Sequence, residues 1–163
     1  MENIIAHGRM EFIRSKKPEG CVFCKKSIRE ECLVLFENEQ VFILVNKYPY
    51  NSGHLLIAPQ RHISGLEELT PEESAAMVEC LHISVRILIE VMHPEGFNIG
   101  MNVGKVAGAG VADHIHLHIV PRWNGDTSFM TCLADTRVTP EDPVKTYEGL
   151  RPHFDDRCGG AKK

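Results

Sequence analysis

Three histidines fall within five residues, His114-Ile115-His116-Leu117-His118, in a chain that holds nine in all. In a β-strand, successive side chains alternate between faces. All three imidazoles would therefore project to one side, and Ile115, Leu117 and Ile119 to the other. Packing three titratable rings in register has no stabilising logic, so the row calls for a chemical reason. Two compete. Neutral imidazoles on a strand suit zinc, and an imidazole nitrogen near neutral pKa can attack phosphorus or carbon while a neighbour assists the leaving group. Just upstream, the run from Gly104 to Gly110 contains three glycines and Lys105, so its backbone N–H groups could cradle an anion. It is not a Walker loop, and Gly108-x-Gly110 lacks the third glycine of the dinucleotide fingerprint. An anion cradle beside a histidine row favours phosphorus chemistry. A second feature is Cys21-Val22-Phe23-Cys24, which has the spacing of half a metal knuckle.

These residues need elements to hold them. Runs at Leu33 to Phe36, Val41 to Val45 and Leu55 to Ala58 read as three short strands of an antiparallel meander, and Phe97 to Val103 and His114 to Pro121 as two more. Thr70-Pro71-Glu72-Glu73 supplies an N-cap, a proline at the first helical position and acids in the first turn. Met77, Leu81, Val85, Leu88 and Met92 then recur every three or four residues, which predicts an amphipathic helix from Thr70 to Met92 that packs on the sheet. A further helix is expected around Pro140 to Leu150, ahead of a polar Gly-Gly-Ala-Lys-Lys end. The fold class is α+β: about five antiparallel strands, a long packed helix and an N-terminal knuckle. The organisation is an arm over 1–20, a domain over 21–130 and an extension over 131–163 that packs on the same domain.

Composition narrows the function. With 163 residues, 43% hydrophobic and 25% charged, the chain has the make-up of one folded domain. No run approaches the roughly 18 apolar residues of a membrane span, and Met1 to Lys17 lacks a signal-peptide core. The other cysteines, at 32, 80, 132 and 158, are scattered, so reduced thiols and a cytoplasmic location are expected. A formal charge of −4 argues against binding a nucleic-acid polymer and leaves a small anionic ligand open.

The run His-Ile-His-Leu-His-Ile-Val followed by Pro121-Arg122-Trp123 resembles the signature of the histidine triad family of nucleotide hydrolases and transferases. Phe42 to Pro49, Ser52 to Pro59 and Arg61-His62 also fit that family in order and spacing. The resemblance covers about residues 21 to 130. Pro121 to Asp126 and Asp135-Thr136-Arg137-Val138 resemble the branch containing diadenosine tetraphosphate phosphorylases. It implies that His116 is the nucleophile carrying a nucleotidyl intermediate, that His118 contacts the α-phosphate or its bridging oxygen, and that His54 lines the same pocket. It puts Asn46 at the ribose, Asn102 toward phosphate, and the backbone N–H groups of Ala109 and Gly110 on the phosphates. Gly110 stands where many members carry Gln or Ser. The resemblance further implies a structural zinc held by Cys21, Cys24, His62 and His114, and a homodimer. Lys105 and Arg122 are expected to supply local positive charge, and Trp123 either stacks on adenine or packs under the C-terminal segment.

The function expected is nucleotidyl transfer from a dinucleoside polyphosphate, diadenosine tetraphosphate foremost, with phosphate as acceptor. Alternatives are a hydrolase of nucleoside phosphoramidates or adenylated metabolites, a nucleotide-binding regulator without turnover, and a zinc hydrolase using the triad as ligands.

Overall fold

The computed structural model describes residues 20–24, 33–126 and 141–159. The expected arm and the Asp135 to Val138 segment lie outside the described residues, apart from Gly20. Five strands form one antiparallel sheet: β1 (Val34–Glu37), β2 (Val41–Val45), β3 (Leu55–Pro59), β4 (Gly96–Met101) and β5 (Leu117–Arg122). Their order is β1-β2-β3-β5-β4. The first three make the expected meander. The chain then crosses the sheet in a helix, α1 (Pro71–Met92), enters β4 at the far edge, and returns in β5 between β4 and β3.

The sheet is covered on both faces, which is why β2 and β3 are buried at every residue and do not alternate. Leu35, Val41, Ile43, Val45, Leu55, Ile57 and Ile119 face Met77, Cys80, Ile87 and Leu88 of α1. Phe42, Leu44, Leu56 and Ala58 face the other way and pack with Phe23 from between the two knuckle cysteines. The histidine row lies on this second face.

The N-cap expected at Thr70 is present and is part of a capping box: Thr70 Oγ1 accepts from Glu73 N at 3.2 Å, and Glu73 Oε2 accepts from Thr70 N at 2.9 Å. The seam of α1 is rotated from the expected one. Cys80, Ser84 and Ile87 are buried, whereas Leu81, Val85 and Met92 are half-buried. The cause is a second helix, α2 (Pro143–Cys158), which packs on that flank of α1 and on β1. It starts three residues later than expected, at an Asp142 N-cap, and continues beyond Leu150 through Pro152. Phe154, past the proline, is almost wholly buried. Burying Leu150 and Phe154 is worth ~1.5–3 kcal/mol each, together enough to offset the ~3 kcal/mol that a proline inside a helix costs.

The other revision concerns the triad. Regular pairing begins at Leu117, so His114 to His116 form an irregular lead-in and only His118 lies within β5. The reason is their partner. Ile115 N donates to Ile63 O at 2.7 Å, in the irregular segment after β3.

Candidate active site and metal centre

The knuckle and the triad meet at His114. The ligand atoms of Cys21, Cys24, His62 and His114 all lie within 4.8 Å of one another. The Sγ···Nδ1 separations are 3.4 Å for Cys21–His114, 3.2 Å for Cys24–His62 and 3.4 Å for Cys24–His114. Two ligands on a tetrahedral zinc at ordinary Zn–S and Zn–N lengths stand about 3.5 Å apart, so the donor set fits that ion. Two further features suit a metal. Phe23 N donates to Cys21 Sγ at 3.4 Å, and His114 Nε2–H donates to Pro59 O at 2.8 Å, which leaves the Nδ1 lone pair facing the thiols. By contrast, burial pushes the thiol of Cys80 up to about 12, which makes that cysteine an inert core residue.

The backbone also dictates which nitrogen of the other rings carries hydrogen. His116 Nδ1 lies 2.9 Å from His114 O, an atom that only accepts. The proton is therefore on Nδ1 and the lone pair on Nε2. His116 is buried, and burial lowers its pKa despite the opposing bond to His114 O, so the ring is kept neutral and nucleophilic. His54 is arranged the opposite way. Tyr50 N, which only donates, lies 3.0 Å from His54 Nδ1. Asn46 Nδ2 lies 3.2 Å from the same atom, its orientation set by Asn46 Oδ1 accepting from Tyr48 N at 3.0 Å. Nδ1 of His54 is an acceptor, so Nε2–H donates to His118 Nδ1 at 2.9 Å. The proton of neutral His118 then sits on Nε2. Adjacent rings, with centroids 4.8 Å apart, thus present a lone pair from His116 and an N–H from His118.

The remaining sequence-derived residues divide in two. Asn46 and His54 join the cluster, as just described. Asn102 directly follows Met101, the last residue of β4, which pairs with Leu117. Lys105 is exposed in a short 3-10 turn, Lys105–Ala107, on the loop that leads to Ala109, Gly110 and the triad. Arg122 and Trp123 are not brought to the cluster. Arg122 is four residues along β5 from His118, about 13 Å at the usual rise, and its guanidinium is engaged by Asp126 and by Asn98 Oδ1. Trp123 follows it and donates from Nε1 to His93 O at the end of α1, at 3.1 Å.

Sequence reasoning missed Phe23, whose ring stands 5.4 Å from that of His114 and 5.2 Å from that of His116. It also missed Tyr50, stacked on His54 at 4.9 Å and 24°. Each lies beside a residue that had been singled out, and that adjacency was the available signal.

A five-stranded antiparallel sheet that brings three histidines together after a glycine-rich loop defines a histidine-triad fold. The HIT domain matches residues 28–125, and the chain belongs to that family. The chain is 43% identical over 112 residues to an AP-4-A phosphorylase of Mycobacterium tuberculosis, covering 69% of this chain and 57% of the relative, so it spans little more than half of that protein's length. A bis(5'-nucleosyl)-tetraphosphatase (asymmetrical) of Schizosaccharomyces pombe is 33% identical over 111 residues, covering 68% and 59%. Among solved structures, a Zn-bound histidine triad family protein from Mycobacterium smegmatis superposes with a TM-score of 0.67 at 31% identity, covering 85% of this chain and 96% of that one. No helix among the described residues is long and apolar enough to cross a membrane.

Proposed function

We propose that this protein is a nucleotidyl transferase acting on dinucleoside polyphosphates, with diadenosine tetraphosphate as substrate and phosphate as acceptor. The observation that carries this reading is the pair of contacts from His116 Nδ1 to His114 O and from His54 Nε2 to His118 Nδ1, from which opposite tautomers of His116 and His118 follow. His116 Nε2 attacks the α-phosphorus. The bond to the bridging oxygen breaks, its electron pair stays on that oxygen, and ATP leaves as an anion. The Nε2–H of His118 donates a hydrogen bond to the charge that develops there. Phosphate then attacks the phosphorus, the N–P bond returns its pair to His116, and ADP is released. Asn46 serves the ribose, Asn102 and the N–H groups of Ala109 and Gly110 serve the phosphates, and Lys105 adds charge at the loop. The relatives' names, phosphorylase and tetraphosphatase, support the substrate class.

Zinc is the metal proposed for Cys21, Cys24, His62 and His114. Four protein donors close a tetrahedral shell, so its role is to tie the knuckle to the base of the triad, and not to activate water. That weighs against a zinc hydrolase. Two cysteines kept as thiolates suit a reducing, cytoplasmic setting. A homodimer is proposed through the outer edge of the sheet, where Ile99 of β4 is about half exposed.

The deciding experiment is incubation with diadenosine tetraphosphate, with and without phosphate, followed by product identification. ATP and ADP are expected. ATP and AMP in proportions that ignore added phosphate would mark a hydrolase, and no turnover would reject the substrate.

A further inference from the structure

Three groups outside the triad have no part in the proposed chemistry. The open groove lined by Ile83, Arg86, Ile89 and Arg157 has one arginine already paired with Glu90, and nothing seated on it identifies an occupant. Cys80 and Cys158 sit in or against the core, and burial raises both thiols, which suits packing better than redox chemistry. The third group is Asn51 with Asp126 and Arg122, and it carries further.

Asn51 is buried although polar. Its amide nitrogen uses both hydrogens across gaps of 70 and 75 residues, to Pro121 O at 3.0 Å and to Asp126 Oδ2 at 2.9 Å. Asp126 is in turn held by a fork from Arg122 and by Trp123 N at 3.2 Å, so the charge placed beside Asn51 is neutralised in the same cluster. The backbone of Asn51 belongs to the turn that orients His54: Asn51 O accepts from His54 N at 3.2 Å, and the preceding residue supplies the N–H that His54 Nδ1 accepts. The turn is seated closely on its neighbours. Gly53 has φ +73°, and a β-carbon there would stand 2.7 Å from Met92 Sδ and 3.0 Å from Pro121 Cγ.

β5 thus holds both ends of one hydrogen bond. It carries His118 directly, and near its other end it grips, through Pro121 and the Asp126 side chain, the turn that presents His54. We propose that Asn51, braced by Asp126 and Arg122, is a positioning residue that holds the Tyr50 N–H on His54 Nδ1 and thereby keeps the proton of His118 on Nε2, facing the leaving oxygen. The proposal rests on the nucleotidyl-transfer reading for its kinetic consequence, but the placement of the proton can be tested without any substrate. It also gives Arg122 a role at its observed position.

The test uses the full chain with histidines labelled in nitrogen-15. In the wild type at neutral to alkaline pH, His118 is expected to give the spectrum of an Nε2–H ring, and a dominant Nδ1–H ring would overturn the proposal with no variant required. Asn51→Ala should shift His118 toward a mixture of tautomers. Asp126→Asn, which keeps the shape, should do so to a lesser extent and covers the case of Asn51→Ala failing to fold. In turnover, Asn51→Ala should lower kcat about tenfold, a part of what a positioned donor contributes, with KM changed less than about twofold. The sharper kinetic readout compares the phenyl and p-nitrophenyl esters of AMP. Loss of the donor should slow the phenyl ester more, because more charge gathers on its leaving oxygen. Equal slowing of both esters with an unchanged His118 spectrum would reduce Asn51 to a structural residue. Failure of diadenosine tetraphosphate as a substrate, with the spectra as expected, would refute the proposed function and leave the positioning role standing.

Discussion

Glu73→Gln probes the clasp that holds the segment carrying His62. Arg61 Nε and Nη2 each donate to the Glu73 carboxylate at 2.7 Å, and Arg61 Nη2 also donates to Glu68 O at 2.7 Å. The carboxylate is nearly buried while the guanidinium is half exposed. Gln keeps the volume and an oxygen for Thr70 N, but replaces a two-point ion pair with at most one bond from the guanidinium to a neutral amide oxygen. Charged hydrogen bonds are worth about 1.5–3 kcal/mol and exposed ion pairs under about 1. Because the released Arg61 can rehydrate, the expected cost lies between these, at about 1–2 kcal/mol, or roughly 3–6 °C in Tm for a chain of this size. The pH dependence is the discriminating part. The bonds from Arg61 chiefly, with Thr70 N–H, hold Glu73 below its ordinary 4.5 against the opposing effect of burial. A carboxylate with a lowered folded pKa contributes stability that is fully present above the unfolded value and is lost as pH falls through the folded one. Glutamine has no proton to gain. Urea unfolding should therefore show the full wild-type advantage at pH 7, narrowing below about pH 4.5. An offset that stays constant across that window, or is absent at pH 7, would refute the reasoning.

His116→Ala should reduce turnover by roughly three orders of magnitude or more while nucleotide binding persists, read by single-turnover kinetics and calorimetry; near-wild-type activity would remove the covalent mechanism. Elemental analysis should find about one zinc per chain, and Cys24→Ser should lower metal content and Tm together, since such sites contribute on the order of 10 kcal/mol to folding. Phe154→Ala should cost about 3–5 kcal/mol in urea unfolding, whereas a dispensable extension would tolerate it. Ile99→Glu should shift the molecular mass in solution from two chains to one by light scattering, and an unchanged mass would place the interface elsewhere.

The histidine row, the knuckle spacing, the long capped helix and the meander were all legible in the sequence, because each rests on neighbours in the chain: alternation along a strand, Cys-x-x-Cys, and Thr70-Pro71 ahead of Glu73. The family could be read from the same local runs. What lay beyond reach depends on partners distant in sequence. The seam of α1 turns because α2 covers its flank, and α2 outlasts Pro152 because Phe154 is buried. The guanidinium of Arg122 is engaged by Asn98, which the chain brings back from 24 residues away, as well as by nearby Asp126. Most of all, three histidines in a row look alike in sequence, since an imidazole has two nitrogens and one proton to place. Only the fold distinguishes them, by setting a carbonyl against one nitrogen of His114 and of His116, and a backbone N–H against His54, which passes the choice to His118. Residue type supplies the titratable ring, and the atoms packed against it decide whether that ring faces the substrate with a lone pair or a proton.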